Sequence, residues 1–299
     1  IEAIGDTLKT WINGIPTAHL VDEKTPTGFI GLQVHSIGPD VEEGREVKWK
    51  NLKIRTKNLD QHMKSSTLEP VFTKNQLTPQ EKKDGWKMLW DGTTTSGWRG
   101  ARLDRFPEEG WTIEQGILTV QPSGGGESQG GGDIVTDDLY GDFELKVDFR
   151  ITKGANSGIK YYVDTELNQG EGSAIGLEFQ ILDDAVHPDA KLGRSDGIRT
   201  MGSLYDLIRS DPDKPVNPVG QWNSAYIVSK NNLVEHWING VKILEYERGN
   251  REFRKLVAES KYAKWANFGE LEQGRILLQD HGDLVSFKNI KIRSTNNFK

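Results

Sequence analysis

Gly274–Arg293 reads GRILLQDHGDLVSFKNIKIR, two runs of alternating polar and apolar residues on either side of a His-Gly-Asp turn. Successive side chains of a strand point to opposite faces, so the pattern predicts a β-hairpin with one buried face. The chain carries this pattern twice. Gly28–Arg55 reads GFIGLQVHSIGPDVEEGREVKWKNLKIR, in which Gln33 matches Gln279, His35 matches His281, and VKWKNLKIR matches VSFKNIKIR. The segments ahead of the two copies also match, TLKTWINGIPTAHL from Thr7 against LVEHWINGVKILEY from Leu233. A shared Trp-Ile-Asn-Gly followed at a distance by a shared Leu-Gln-x-His is an internal repeat.

The repeat sets the domain expectation. The second copy closes a unit from about Gly85 to Arg293, roughly 200 residues, a size suited to one sandwich domain. The first copy closes at Arg55. Residues 1–57 therefore read as the C-terminal strands of a truncated first sandwich, residues 58–83 as a linker, and residues 84–295 as a complete sandwich. The missing N-terminal part of that first domain is then an expected partner, since a few strands bury too little apolar surface alone. Within the linker, LTPQEKKDG reads as a short helix with Thr78 as N-cap and Pro79 at its first position.

Composition narrows the class. The 299 residues hold 35% hydrophobic and 27% charged side chains with 33 Gly. Glycine-punctuated short strands and few helical patterns argue for an all-β sandwich. A net charge of −6 leaves no basic footprint, which argues against nucleic acid as a partner. The absence of cysteine excludes disulfides, thiolate metal sites and a Cys nucleophile. No apolar run is long enough to span a bilayer.

Along the complete domain, GWTIEQGILTVQ predicts a hairpin turning at Gln115-Gly116, and GGGESQGGG (124–132) a flexible loop. In DFELKVDFRI, Phe143, Leu145, Val147 and Phe149 face the core. His187 to Pro218 is a long polar excursion of the kind that is functional or disordered. FRKLVAESKYAKWANFG (253–269) is the best helical stretch.

In GLEFQILD, Leu177, Phe179 and Ile181 alternate onto the core, leaving Glu178 and Gln180 on the other face and Asp183 at the strand end. A carboxylate and an amide in mid-strand suit a wet groove, where a carboxylate does acid and base work. A solvated outer face is the plainer explanation. His236 shares a strand face with Val234 and Ile238. It is a candidate base, set against the commoner packed, hydrogen-bonded histidine, and the first repeat has Thr10 in its place. Gln279 and His281 share a face with Asp280 opposite. Retention of Gln33 and His35 with Val34 for Asp280 favours an architectural role for His281. Asn156, Tyr161, Tyr205 and Trp222 are polar-tipped side chains of the sort that line sugar sites. No HxH or HExxH spacing supports a metal centre.

GWKMLWDGTTTSGWRG, NSGIKYYV, GLEFQILDD, GSLYDLI, QWNSAYIV, VEHWINGVKILEY and GRILLQDHGDLVSFKNIKIR occur in this order. Together they resemble the 3-keto-disaccharide hydrolase domain family over about Pro79–Arg293, and residues 1–57 resemble its C-terminal third. The resemblance implies a concanavalin-A-like jelly roll of two antiparallel sheets. It also implies a bacterial exported (periplasmic or cell-surface) enzyme acting on glycosides oxidised to the 3-keto form. Matched motif to motif, its polar groove includes Glu178, Gln180, Asp183, Tyr205, His236 and Gln279. The implied chemistry removes the C2 proton, eliminates the C1 leaving group and adds water. His236 is the expected base and Glu178 the acid, roles that are interchangeable, and a divalent metal ion is an admissible cofactor. Two alternatives stand beside it: a direct glycosidase using Glu178 and Asp183, and a carbohydrate-binding module without catalysis.

Overall fold

The structure, a computed structural model, describes residues 1–5, 7–22, 27–33, 46–68, 71–72 (backbone), 75–124, 126–168, 170 and 172–295. Val34 and His35 lie outside the described residues. The chain divides into two compact units, Ile1–Thr73 and Lys74–Lys299.

The first unit is one sheet in the order β1 (Glu2–Ile4), β2 (Thr7–Ile12), β3 (Ile15–Val21), β4 (Val71–Phe72), antiparallel except for the parallel β3/β4 pair. β2 and β3 turn at Asn13-Gly14, both left-handed (φ 51° and 82°), which matches the twist of a two-residue hairpin. The expected 58–83 linker is not a connecting strap. Lys9 Nζ donates to the Lys64 carbonyl at 3.1 Å and the Lys64 amide to Glu2, so this stretch packs into the first unit. Residues 79–83 instead form a helix of the second unit.

That second unit opens with α1 (Pro79–Lys83), capped as the sequence predicts: the Glu81 amide donates to Thr78 Oγ1, and the Thr78 amide to the Glu81 carboxylate. Glu81 also meets Lys291 at 2.6 Å in a buried ion pair, fastening the helix to the sheet. Then follow β5 (Lys87–Met88), β6 (Trp98–Gly100), β7 (Trp111–Glu114), β8 (Ile117–Val120), β9 (Ile134–Thr136), β10 (Phe143–Ile151), β11 (Asn156–Asp164), β12 (Ile175–Leu182), β13 (Asn223–Lys230), β14 (Leu233–Ile238), β15 (Val241–Glu247), α2 (Arg251–Ala258), β16 (Arg275–Leu278) and β17 (Val285–Ser294). One sheet runs β15-β14-β13-β10-β17-β8-β7 with β5 also on β17; the other runs β12-β11-β16-β9-β6. All their strand pairs are antiparallel, so the unit is the jelly-roll sandwich that the sequence predicts. Alternation on β10 puts Phe143, Leu145, Val147 and Phe149 into the core, where Phe149 meets Phe179 and Phe143 meets Tyr161 from the opposite sheet.

The stretch Gly274–Arg293 is not a hairpin. β16 lies in the five-stranded sheet and β17 in the eight-stranded one, so residues 279–284 arch across the sandwich. Polar clips hold the arch. Asp280 accepts from the amides of Gly132 and Gly282 at 2.9 Å each, and Asp283 accepts from the Asn156 amide at 2.9 Å. Alternation correctly marks the buried faces but cannot distinguish strands paired with each other from strands facing each other.

The repeat is structural in its first half only. β2/β3 and β14/β15 share the left-handed Asn-Gly turn and a register shift at the same place, Thr10/Trp11 and His236/Trp237. Residues 46–56 form no strand, although their twin β17 is central to its sheet. Val47 and Ile54 are 72% and 71% exposed, against 0% and 3% for Val285 and Ile292. β17 is buried because β10 and β8 flank it and a second sheet covers it. Among the described residues, 46–56 has neither.

Candidate active site

β12 carries two polar side chains on the face turned away from the core. Glu178 and Gln180 alternate with the core residues Leu177, Phe179 and Ile181, and all are buried because the 187–218 excursion docks on this edge strand. The Gly202 amide donates to the Gln180 carbonyl at 2.7 Å and the Tyr205 amide to the Glu178 carbonyl at 3.1 Å. The excursion is thus ordered. Arg199 sits between Asp189 and Asp206 at 2.7 Å from each, and Tyr205 Oη donates to Asp189 at 2.8 Å.

Lys160, on β11, is the register partner of Glu178, and its ammonium lies 3.6 Å from the carboxylate. That ammonium also donates to Ser173 Oγ and to the Ala174 carbonyl; Ser173 in turn meets Asp133. Burial raises the Glu178 pKa above the ordinary value, with Lys160 and then Lys261 opposing the shift. Burial likewise raises Asp133. A cleft of about 210 Å³ is lined by Lys160, Glu127, Ser173, Lys261, Tyr262 and Trp265. Lys261 exposes surface to solvent, yet protein atoms crowd its ammonium and lower its pKa.

Of the expected site residues, Glu178, Gln180, Asn156, Tyr205 and Gln279 come together. Gln180 donates to Asn156 Oδ1 at 3.1 Å, and Gln279 to Glu127 at 3.1 Å. Three buried polar atoms beside them lack a hydrogen-bond partner among the described residues: Gln180 Oε1, Gln279 Oε1 and His281 Nδ1. A buried acceptor without a donor costs stability unless a ligand supplies one.

Four expected residues stand elsewhere. His236 is fully buried between the sheets, against Phe179, on the opposite face of β12 from Glu178. The Gly202 carbonyl can only accept, so His236 donates from Nδ1 (2.8 Å), and Nε2 accepts from Tyr161 Oη (2.8 Å). His236 and Tyr161 are thus core residues; neither reaches the cleft. Trp222 lies on the outer face of the other sheet, under Arg150 and Lys288 at 4.8 Å and 4.4 Å. The Asp183 carboxylate accepts from the Gly154 amide at 2.8 Å and the Ala185 amide at 3.3 Å, closing a turn. The Glu178/Asp183 pair of a direct glycosidase is therefore not assembled. Composition-neutral lysines gave no signal for Lys160 or Lys261; only strand register and a loop's docking bring them in.

Among the described residues, no group of three His, Asp or Glu side chains is placed to hold a metal ion. The admissible divalent cation finds no donor set there, and no step below runs through one. No helix of the described residues is long and apolar enough to cross a membrane.

The close approach of Gly158 to Glu178 makes one prediction. A Cβ on Gly158 would come within 2.3 Å of Glu178 Oε1. Gly158→Ala is expected to push the carboxylate off its seat and lower kcat by on the order of 10²-fold. Steady-state kinetics beside a thermal melt check this; unchanged kcat would show that the carboxylate position is unimportant.

The sequence profile of the 3-keto-alpha-glucoside-1,2-lyase-like domain matches residues 1–55 and 85–293. The chain belongs to this family. A 3-keto-disaccharide hydrolase of Bacteroides thetaiotaomicron is 37% identical to it over 230 residues, 70% of this chain and 78% of the relative. A candidate glycosyl hydrolase of Parabacteroides distasonis superposes with a TM-score of 0.65 at 28% identity, covering 74% of this chain and 99% of that one. A second from the same species gives 0.52 at 26%, covering 70% and 98%. As a member of the 3-keto-alpha-glucoside-1,2-lyase-like family the chain is a hydrolase-type enzyme, and these relatives carry the names of glycoside-cleaving proteins.

Proposed function

We propose that the chain cleaves 3-keto-glycosides by elimination and hydration at C1. The observation that carries this reading is Glu178, a buried carboxyl whose proton affinity is raised and whose ion-pair partner Lys160, 3.6 Å away, lines the cleft with Lys261. A ketone at C3 acidifies the C2 proton. The Glu178 carboxylate takes that proton, and the C2–H electron pair moves onto the C3 oxygen as an enolate. The enolate collapses back to a ketone as a C1–C2 double bond forms and the C1–O bond breaks. The leaving oxygen takes a proton from His281, whose charge Glu178 feels and whose Nδ1 has no hydrogen-bond partner among the described residues. Water then adds at C1, giving its proton to His281, and Glu178 returns its proton to C2. The products sum to hydrolysis. The bare Gln180 and Gln279 oxygens accept hydroxyl protons of the sugar. In this assignment His281 replaces His236.

Purified protein is given a matched glucoside and 3-keto-glucoside in D₂O. Turnover of the keto substrate alone, with deuterium at C2 of the product, is expected. Equal turnover of the plain glucoside would point to a direct glycosidase. Saturable binding of the keto-sugar without turnover would reduce the chain to a carbohydrate-binding module.

A further inference from the structure

The elimination leaves a negative charge on the C3 oxygen, and a cleft that excludes water must supply a donor for it. Three lysines line the cleft; Lys264 lies over the Trp265 ring at 4.1 Å, and hydrogen bonds distinguish the two whose charge Glu178 feels, Lys160 and Lys261. The Lys160 ammonium is spent: it donates to Ser173 Oγ and the Ala174 carbonyl, and its remaining side meets Glu178. Lys261 makes no hydrogen bond or ion pair through Nζ among the described residues. Its ammonium stands 4.3 Å from the centre of the Tyr205 ring and 5.3 Å from that of Tyr262.

These contacts fix the ammonium without using its three N–H donors. Tyr205 is itself held, its hydroxyl on Asp189 and its backbone amide on the Glu178 carbonyl. The Lys261 amide reaches Asp206 at 3.4 Å. A ring clamped at both ends thus carries the cation into the cleft that is also lined by Lys160, the ion-pair partner of Glu178. Glu178 and Glu127 are the two anions nearest it in effect, and Lys160 is the opposing cation. Tyr262 and Trp265, from the same short segment, complete the wall.

We infer that Lys261 is a catalytic residue of this reaction, its ammonium donating a hydrogen bond to the C3 oxygen of the 3-keto sugar as enolate charge develops there. The inference rests on the elimination reading above. No proton is transferred in this step. The C2–H pair moves onto the C3 oxygen while the C–H proton goes to Glu178, and the N–H bond of Lys261 stays intact. The charge leaves again when the C1–O bond breaks. The crowding that lowers the Lys261 pKa also makes its N–H groups stronger donors. Because the donor answers a carbonyl oxygen, the site favours sugars carrying a ketone over those with a hydroxyl at the same carbon.

Lys261→Met and Lys261→Arg are compared with wild type by exchange of C2–H for deuterium and by turnover of the 3-keto-glucoside. The methionine variant is expected to lose about 100-fold in both kcat and exchange, with KM changed less than threefold. The arginine variant is expected to recover at least a tenth of the loss. Circular dichroism and binding of the keto-sugar check that both variants fold. Wild-type exchange in Lys261→Met, with wild type active on the keto-sugar, overturns the inference and leaves the elimination reading standing. An inactive wild type removes the reading itself. Borohydride is added during turnover as a final check: a reduced substrate adduct on Lys261 would replace the hydrogen bond with a covalent imine and overturn the assignment.

Discussion

Glu178→Gln is expected to lower kcat on the 3-keto-glycoside by about 10³-fold while the protein stays folded. The amide keeps the shape of the carboxyl and leaves the β11/β12 ladder untouched. What it removes is the proposed base, the carboxylate that takes the proton from carbon. Stability should change little. The surroundings disfavour ionised Glu178, so a neutral replacement relieves that cost, and Lys160 keeps Ser173 and the Ala174 carbonyl. A thermal midpoint within a few degrees, with kcat down by three decades, is the expected result. In wild type the acidic limb of kcat/KM should lie above 4.5, since the base must be ionised and its pKa is raised. A variant within tenfold of wild type would remove Glu178 from the chemistry.

The second large effect concerns His236, which acts on stability. Burial pushes its pKa down from 6.5 to about 4, the Gly202 carbonyl opposing only in part. The folded protein therefore holds it neutral while the unfolded chain protonates it. Stability from this group is fully present above pH 6.5 and is lost as pH falls toward 4, by about 3 kcal/mol. The bonding chain explains why the proton is refused. Nδ1 already donates to Gly202, and a proton on Nε2 would face the Tyr161 hydroxyl hydrogen, itself part of a chain to Tyr246 at 2.7 Å. The buried carboxyls with raised pKa, Glu178, Asp133 and Asp148, have the opposite sign: they favour the folded state as pH falls. Urea titrations of wild type and His236→Gln from pH 7 to pH 4 separate the two. The variant is expected to be less stable at pH 7, and the gap should shrink by about 3 kcal/mol by pH 4. A gap that stays constant with pH would mean that His236 titrates alike in the folded and unfolded chain, so that burial does not hold it neutral.

Strand faces were legible in the sequence because alternation is a local property. The alternating cores of β10 and β12, the Asn-Gly turns and the Thr78 cap all follow from neighbours a few residues apart. The placement of Glu178 and Gln180 on the face of β12 away from Leu177, Phe179 and Ile181 followed from the same alternation. Sheet membership did not, because β16 and β17 obey one pattern whether they pair or arch. His236 shows the corresponding limit for the site. Its face was correctly grouped with Val234 and Ile238, yet that face is the core, and a histidine there reads the same as one in a groove. Lys160 and Lys261 were silent because a lysine acquires meaning only from what it stands beside, and their neighbours are 18 and 56 residues away in the chain at Glu178 and Tyr205. The repeat misled in the other direction: closely similar strand sequences fold differently when one lacks flanking strands among the described residues.

The arch at residues 279–284 and the excursions over the sheet edge are anchored to unequal degrees. Its two arms are interior strands, β16 between β11 and β9 and β17 between β10 and β8. Gln279 and His281 ride on its crest, so they can be displaced only by parting the sandwich, an event as costly as unfolding it. Tyr205, Lys261 and Trp265 belong to excursions laid over the sheet edge. A disruptive substitution in the arch should therefore register in global stability, whereas one in the excursions is felt first at the sheet edge.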